Sequence, residues 1–517
     1  METQAAPAEA CDLSPRMGSI LRQSVVLFMG NVLLLLGGYG FKIFLARRIG
    51  AEGLGIFALG ECLVSFALLL VVWEMQQAFF RFIPEFMSRG EFERIRRLIW
   101  SSLSQVLILS LAAAGVLYGT REFWGENVFQ AGGLAGALAV FAFMLPPRAL
   151  EVAARQLARS YKEVRRVVII QTFVAFPVKV SVSMMLIGVG WGLSGWLWGE
   201  VVAYLVSAAG LGWLAFKLTP PSARTPLFGV IQERGVYGFA ATATAMAGIG
   251  LGSVNLSTLL MGVFLGPKAV GIYSVAFLVA TLLTLLQGAL NGVFVPHIAE
   301  LNALGKKSEL ARLYYRVTRW DLMATLPLFI ICGVLPGPML AVFGEDFREG
   351  ALALGILTLG QWVNVGTGPV GNLLVMTGHQ NRVLGSQIGQ LTLTTVLLIL
   401  LVPYAGLTGA ALASSLGTVS FFLSLYLGAR KLFPIYIYDR NNLKMLASGV
   451  CLIGVAWIFG NHLRWVESPL LLLIVTATIL YVFWGLWVFW ALADVEDRRF
   501  VGEAIGEFCG GRAWSRG

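Results

Sequence analysis

Residues 49–57 read Ile-Gly-Ala-Glu-Gly-Leu-Gly-Ile-Phe, and residues 265–273 read Leu-Gly-Pro-Lys-Ala-Val-Gly-Ile-Tyr. The two stretches begin 216 residues apart, and each lies in a short gap between two long apolar runs. A helical hairpin that recurs half a chain later indicates two similar lobes within one chain. Paired lobes occur in many carriers that move a cargo across a bilayer.

The repeat extends beyond this hairpin. Phe82-Ile83-Pro84 and Phe294-Val295-Pro296 each precede a basic loop, and Gly192-Leu193-Ser194-Gly195 is matched by Gly406-Leu407-Thr408-Gly409. Each repeat contains six apolar runs, an even number, so both lobes should insert with the same orientation. We therefore predict that an axis along the membrane normal relates them.

Composition indicates a polytopic membrane protein. Of 517 residues, 57% are hydrophobic and 13% are charged, about half the share of charge in soluble domains. Apolar runs of about 20 residues recur along the whole chain, each long enough to cross the bilayer, and strand-like alternation is absent. We predict fourteen spans, at 23–46, 53–75, 98–119, 129–153, 167–188, 193–216, 236–262, 268–294, 320–342, 350–376, 384–403, 407–428, 445–462 and 469–492.

The predicted fold class is all-α, with about fourteen transmembrane helices. Two six-helix bundles related by pseudo-two-fold symmetry precede two further C-terminal helices. The predicted segments are an N-lobe over 1–217, a cytoplasmic linker over 218–234, a C-lobe over 235–428, helices 13 and 14 over 429–493, and a cytoplasmic tail over 494–517.

The basic residues predict the orientation of the chain. With the N-terminus inside, 30 Lys and Arg lie on the cytoplasmic side and 6 lie on the outer side. This asymmetry places both termini in the cytoplasm of a multi-pass protein of the cell membrane. The net charge of +10 is then a signal of topology rather than of nucleic-acid binding.

Four ionisable residues fall inside predicted spans of the N-lobe, where charge is costly and marks functional sites. Lys179 and Glu200 flank a turn near Gly190 by 11 and 10 residues, so they should lie at one depth and pair. Lys42 and Glu61 repeat this arrangement around Gly50. Either these residues line a cavity that binds an anionic cargo, or they form structural pairs and Lys42 snorkels to the surface.

The C-lobe spans carry amides instead. Asn255, Asn291, Gln361 and Asn364 are candidates for hydrogen bonds to sugars, although amides also hold helices together. Arg81 and Arg148, near predicted inner helix ends, are candidates for a cytoplasmic opening that admits a phosphate.

No metal, cofactor or enzymatic activity is predicted. The five cysteines and three histidines are scattered without metal-ligand spacing. Gly305-Lys306-Lys307-Ser308 lacks the first glycine and the preceding strand of a phosphate-binding loop. Energy must therefore come from an ion gradient, the membrane potential or consumption of the cargo.

The repeated hairpin, with Leu45-Ala46-Arg47-Arg48-Ile49-Gly50 before Gly55-Ile56-Phe57, resembles the multidrug/oligosaccharidyl-lipid/polysaccharide exporter superfamily. Within it, the pattern is similar to the polysaccharide-transport branch, the O-antigen-type flippases, over residues 18–490. The resemblance implies alternating access around a central cavity and an undecaprenyl-diphosphate-linked oligosaccharide as substrate. It also implies membrane lipids and glycan-assembly enzymes as partners, with Lys42 and Lys179 receiving the diphosphate.

Two other functions remain open. A cation-coupled multidrug exporter would use Glu61 or Glu200 as its ion site. A membrane glycan polymerase or ligase would need a sizeable outer loop, whereas the predicted outer loops reach only about a dozen residues.

Overall fold

The computed structural model describes residues 14–73, 75–226, 234–435, 448–449, 452–458 and 468–488. Within these ranges the chain is helical and contains no strand, so the predicted all-α class is confirmed. A π-helical turn at Ile170–Ala175 joins α5 to α6. The helices are α1 (Ser14–Val72), α2 (Met75–Arg89), α3 (Phe92–Gly119), α4 (Leu134–Ser160), α5 (Val164–Ile169), α6 (Phe176–Gly188), α7 (Gly192–Leu218), α8 (Arg234–Ala280), α9 (Leu283–Ala303), α10 (Lys307–Val334), α11 (Pro336–Ala341), α12 (Ala351–Gly366), α13 (Val370–Met376), α14 (Gln380–Arg430) and α15 (Pro469–Trp487).

Nine helical segments among the described residues are long and apolar enough to cross a membrane. Three of the nine, in α1, α8 and α14, run for 39, 46 and 51 residues, about twice the length that one crossing needs. Each therefore holds two arms. The total of fourteen spans stays a prediction, because much of 436–467 lies outside the described residues.

A glycine bends each of these three helices. Gly50, Gly266 and Gly406 have φ angles of 79°, 77° and 53°, in the left-handed region that glycine adopts at little cost. Gly50 and Gly266 occupy the same position of the repeat, 216 residues apart. The predicted hairpins therefore turn at the glycines that the repeat shares.

The chain divides into two compact units. The first unit comprises residues 1–49 and 60–248, and the second comprises 50–59 and 249–517. In the first unit, Phe79, Ile95 and Leu211 belong to one buried apolar core. The second unit has two such cores among its described residues. The lobe boundaries at 217 and 235 stay a prediction, since this division rests on contacts and not on the repeat.

The second unit includes residues 50–59 because the two copies of the repeat touch there. A Cβ atom on Gly55 would overlap the carbonyl oxygen of Pro267, and a Cβ atom on Gly271 would overlap the carbonyl oxygen of Ala51. The two contacts are equivalent, since each glycine and each carbonyl has its counterpart 216 residues away. Glycine at both positions lets the two backbones pack without intervening side chains.

Three predicted boundaries are wrong. The helix that contains the predicted ninth span, α10, begins at Lys307 and not at 320, and the predicted span 268–294 is divided between α8 and α9. The predicted span 350–376 breaks between α12 and α13, because Gly368 has a φ of 63° and Pro369 lacks the amide hydrogen that would continue the helix. The predicted tail over 494–517 lies outside the described residues.

Part of the predicted linker packs on the first unit. Trp100 Nε1 donates a 3.2 Å hydrogen bond to the carbonyl oxygen of Ala223, and Arg96 Nε donates one of 2.9 Å to that of Thr225. Residues 219–226 therefore lie against α3 rather than forming a free connection.

Candidate substrate-binding site

A bidentate ion pair joins α1 to α4 in the first unit. Arg148 Nη1 donates to Glu61 Oε2 at 2.7 Å, and Arg148 Nη2 donates to Glu61 Oε1 at 2.5 Å. The side chains are 16% and 33% exposed. A planar guanidinium matches both carboxylate oxygens at once, and such charge-assisted pairs are stronger than neutral hydrogen bonds.

A second ion pair joins α6 to α7. Lys179 Nζ lies 2.5 Å from Glu200 Oε1, and the side chain of Glu200 is only 7% exposed. Trp196 Nε1 donates to the same carboxylate oxygen at 3.1 Å. The equal spacing of Lys179 and Glu200 from their turn thus predicted this pair correctly.

Close packing of α6 on α7 holds the second pair in place. A Cβ atom on Gly199 would overlap the hydroxyl of Ser183, and one on Gly195 would lie 3.0 Å from the backbone of Leu186. Glycines on one face of α7 therefore let its backbone approach α6. This close packing brings Glu200, the residue after Gly199, into contact with Lys179.

Lys42 is the remaining cation of this group, which we call the charged cluster (Lys42, Glu61, Arg148, Lys179 and Glu200). Its side chain is exposed and lies within electrostatic range of Lys179, Glu200 and Glu61. Among the described residues it makes no ion pair, because each carboxylate of the cluster already contacts another cation. The cluster holds three cations and two carboxylates, so one positive charge is unbalanced.

One sequence-based expectation is wrong here. Glu61 pairs with Arg148 and not with Lys42, because the arginine of α4 reaches both of its oxygens. Arg148 lies near the middle of α4 and donates to Glu61, and its role at a cytoplasmic opening stays a prediction. Arg81 lies on α2, with an exposed side chain stacked on the ring of Phe82.

A polar cavity of about 230 Å³ lies within the second unit. Gln361 is 8% exposed, and Asn364 Nδ2 donates a 3.2 Å hydrogen bond to its Oε1. Tyr273 donates a hydrogen bond to Ser414 Oγ at 2.7 Å, and Ser257 Oγ lies 3.0 Å from the same hydroxyl. The residues that line this cavity are uncharged, and they include Ser253, Phe277, Gln387, Gln390, Thr394 and Phe422.

The structure thus brings two of the four predicted amides to one cavity. Gln361 and Asn364 line it; Asn255 and Asn291 are half-buried on α8 and α9 but do not belong to its lining. The sequence analysis missed the hydroxyls of Tyr273 and Ser414. One signal was available for Tyr273, since it replaces Phe57 of the first hairpin and adds a hydroxyl at an equivalent position.

The sequence analysis also missed a carboxyl group in the second unit. Asp321 lies in α10 with no part of its side chain exposed. The preceding Arg312, Arg316 and Arg319 indicated a cytoplasmic segment, and the helix was expected to start at 320. Its true start at Lys307 places Asp321 in the middle of α10.

Comparison with known proteins identifies the family. The model of the family described as "Polysaccharide biosynthesis protein" matches residues 44–351, more than half of the chain. The chain belongs to this family. This polysaccharide biosynthesis protein is also 21% identical, over 408 residues, to the probable low-salt glycan biosynthesis flippase Agl15 of Haloferax volcanii, covering 77% of the chain and 80% of that relative.

Two solved structures share the fold of this polysaccharide biosynthesis protein. The lipid II flippase MurJ, in an inward closed conformation, superposes with a TM-score of 0.70 at 12% identity, covering 90% of this chain and 98% of MurJ. A multidrug resistance MATE family transporter of the MOP superfamily gives 0.60 at 12%, covering 76% and 93%. The resemblance seen in the hairpin motif is confirmed, and the protein is a multi-pass membrane protein of this family.

Proposed function

We propose that this protein is a flippase for an undecaprenyl-diphosphate-linked oligosaccharide. It would carry the head group from the cytoplasmic to the outer leaflet of the cell membrane, for surface polysaccharide synthesis. A diphosphate and its sugars cannot cross hydrocarbon unaided, whereas the polyprenyl tail can remain in it. A hydrophilic site open to one side of the membrane at a time meets this requirement.

The observation that carries the proposal is the unbalanced cation of the charged cluster. Arg148 and Lys179 are neutralised by Glu61 and Glu200, while Lys42 keeps an exposed ammonium without a carboxylate contact in the described part of the chain. A diphosphate is the natural counter-charge for such a group, because an ammonium binds phosphate oxygens as a point charge. The two paired cations would strengthen this attraction.

The uncharged cavity of the second unit suits the sugar part of the same cargo. Its amides and hydroxyls, among them Gln361, Asn364 and Tyr273, offer donors and acceptors, and Phe277 adds an aromatic face. A neutral polar lining binds hydroxyl groups without competing for the phosphates. The proposal thus assigns charge recognition to the first unit and sugar recognition to the second.

The proposal extends to partners and place in the cell. Membrane lipids surround the transporter, and glycan-assembly enzymes would supply and consume its cargo. Both termini would be cytoplasmic, as the distribution of Lys and Arg predicts. The protein would act as a carrier and not as an enzyme.

Lys42→Ala tests the charged site. We expect transport at low substrate concentration to fall about tenfold to a hundredfold, the effect of losing one charge-assisted hydrogen bond to phosphate. The measurement is flipping of fluorescent polyprenyl-diphosphate oligosaccharide in proteoliposomes. Lys42→Arg should retain most activity, and Arg48→Ala, which removes another exposed cation of α1, is the matched control. Equal transport by Lys42→Ala and Arg48→Ala would refute the assignment.

Asn364→Ala tests the sugar site. We expect a KM about tenfold higher for the full oligosaccharide, since one or two hydrogen bonds to the glycan are lost. The KM for a carrier with a single sugar should change little. Asn302→Ala, at an exposed position of α9, serves as the control. An equal rise for both substrates would point to a purely structural role of Asn364.

A multidrug exporter is the alternative function, because a MATE family transporter shares this fold. Expression in cells without their own efflux pumps separates the two functions. Drug resistance without any change in surface glycan would favour the exporter, and loss of surface glycan on gene deletion favours the flippase.

A further inference from the structure

Asp321 is a buried carboxyl group that has no hydrogen-bond partner in the described part of the chain. It lies near the middle of α10, and none of its side chain is exposed to solvent. Neither Oδ1 nor Oδ2 receives a hydrogen bond from any described residue. A carboxylate in this position is very costly unless a positive species neutralises it.

The face of α10 that carries Asp321 packs against an interrupted helix. The hydroxyl of Tyr314 donates to the carbonyl oxygen of Thr367, and Thr318 fills the space beside Gly368. Thr367 and Gly368 lie in the break between α12 and α13. Broken helices with unwound backbone are places where transporters bind ions.

The surroundings are rich in acceptors that lack donors. Thr318 and Thr325 donate their hydroxyl hydrogens to α10 carbonyls at 2.8 and 2.7 Å, so their oxygens can only accept further bonds. Because these oxygens can only accept hydrogen bonds or coordinate a cation, the site favours a cation or a proton over an anion.

Among the described residues of the helices that pack against α10, Asp, Glu, Lys, Arg and His occur only on α9. The sequences of α12, α13 and α15 contain no Asp, Glu, Lys, Arg or His. On α9 the charged or titratable side chains are His297 and Glu300, which are exposed and face one another at 3.8 Å. Tyr481 of α15 is engaged with the carbonyl oxygen of Ala324.

We propose that Asp321 binds a small monovalent cation, H⁺ or Na⁺, and that its uptake and release is coupled to the transport cycle. The site would be separate from the charged cluster of the first unit and from the sugar cavity of the second. It would couple transport to an ion gradient, one of the three energy sources that the sequence left open. This coupling rests on the proposed transport function, but cation binding itself does not.

Thermal unfolding of the purified full-length protein tests the site without any glycan. If Na⁺ binds, exchanging choline chloride for NaCl at constant pH and ionic strength should raise Tm by a few degrees. If H⁺ binds, Tm in choline chloride should fall as pH rises, since a proton held only in the folded state is lost. Asp321→Asn should remove the response, while Asp321→Glu should retain part of it.

The control is Asp346→Asn, which neutralises an exposed carboxylate of the same unit and should keep the wild-type response. Asp321→Ser provides a second neutral variant if Asp321→Asn does not fold. The site would be refuted if the wild-type Tm did not change with Na⁺ or with pH. It would also be refuted if Asp321→Asn or Asp321→Ser showed the same change of Tm as the wild type. If the wild-type protein flips glycan but its Tm does not respond to the cation, the cation site is refuted and the proposed transport function is not. If its Tm responds but it does not flip glycan, the proposed transport function alone is refuted.

Discussion

Gly271→Ala is expected to prevent accumulation of folded protein. The added methyl group would overlap the carbonyl oxygen of Ala51, where two backbones are already in contact. Overpacking typically costs about 1–3 kcal/mol, and the cost is greater where no flexible side chain can move aside. Because the contact is symmetric in the repeat, Gly55→Ala should fail for the same reason, against the carbonyl oxygen of Pro267. Fluorescence-detected size-exclusion chromatography of the solubilised protein measures the effect.

Gly355→Ala is the matched control. Gly355 lies in α12 with no atom within 4 Å of an added Cβ, so alanine there should be neutral or should stabilise the helix by up to about 1 kcal/mol. A monodisperse Gly271→Ala protein with an unchanged Tm would show that the crossing tolerates a side chain. That result would mean that the close backbone contact does not require glycine at position 271.

Lys179→Ala is expected to destabilise the first unit and, under the proposed function, to stop glycan transport. Removal of the ammonium leaves Glu200, 7% exposed, with the indole of Trp196 as its remaining hydrogen-bond partner among the described residues. Breaking a buried pair in this way costs about 3–5 kcal/mol; the lower value applies here because Lys179 is 28% exposed. Tm of the purified protein reports the first effect, and flipping in proteoliposomes reports the second.

The double variant Lys179→Ala, Glu200→Gln separates structure from function. It removes the orphaned charge, so most of the lost stability should return. Transport should stay low if Lys179 contributes to binding of the diphosphate. Normal transport by the double variant would remove the pair from the mechanism and leave it a structural role.

The helical hairpins were predictable because their signals are local. Apolar length, the repeated glycines and the asymmetry of Lys and Arg all lie along the chain, and Gly50 and Gly266 indeed turn the two hairpins. The pair of Lys179 with Glu200 was predictable too, since adjacent helices joined by a short turn must bring residues of equal depth together.

Contacts between distant helices were not predictable in the same way. The partner of Glu61 is Arg148, 87 residues away, and nothing in their spacing indicates that α1 and α4 are neighbours. The break before Pro369 and the burial of Asp321 depend likewise on how α10 packs against α9 and α12.

The sequence by itself determined that this protein is a helical membrane protein with a repeated hairpin. It also identified Lys42, Glu61, Lys179 and Glu200 as charged residues within the spans of the first lobe, because hydrophobic length and turn chemistry act over short stretches of chain. Only the tertiary structure decided which charges neutralise one another and which cation and which buried carboxyl have no partner among the described residues. Those outcomes follow from packing between segments far apart in the chain, where a single helix rotation exchanges one partner for another.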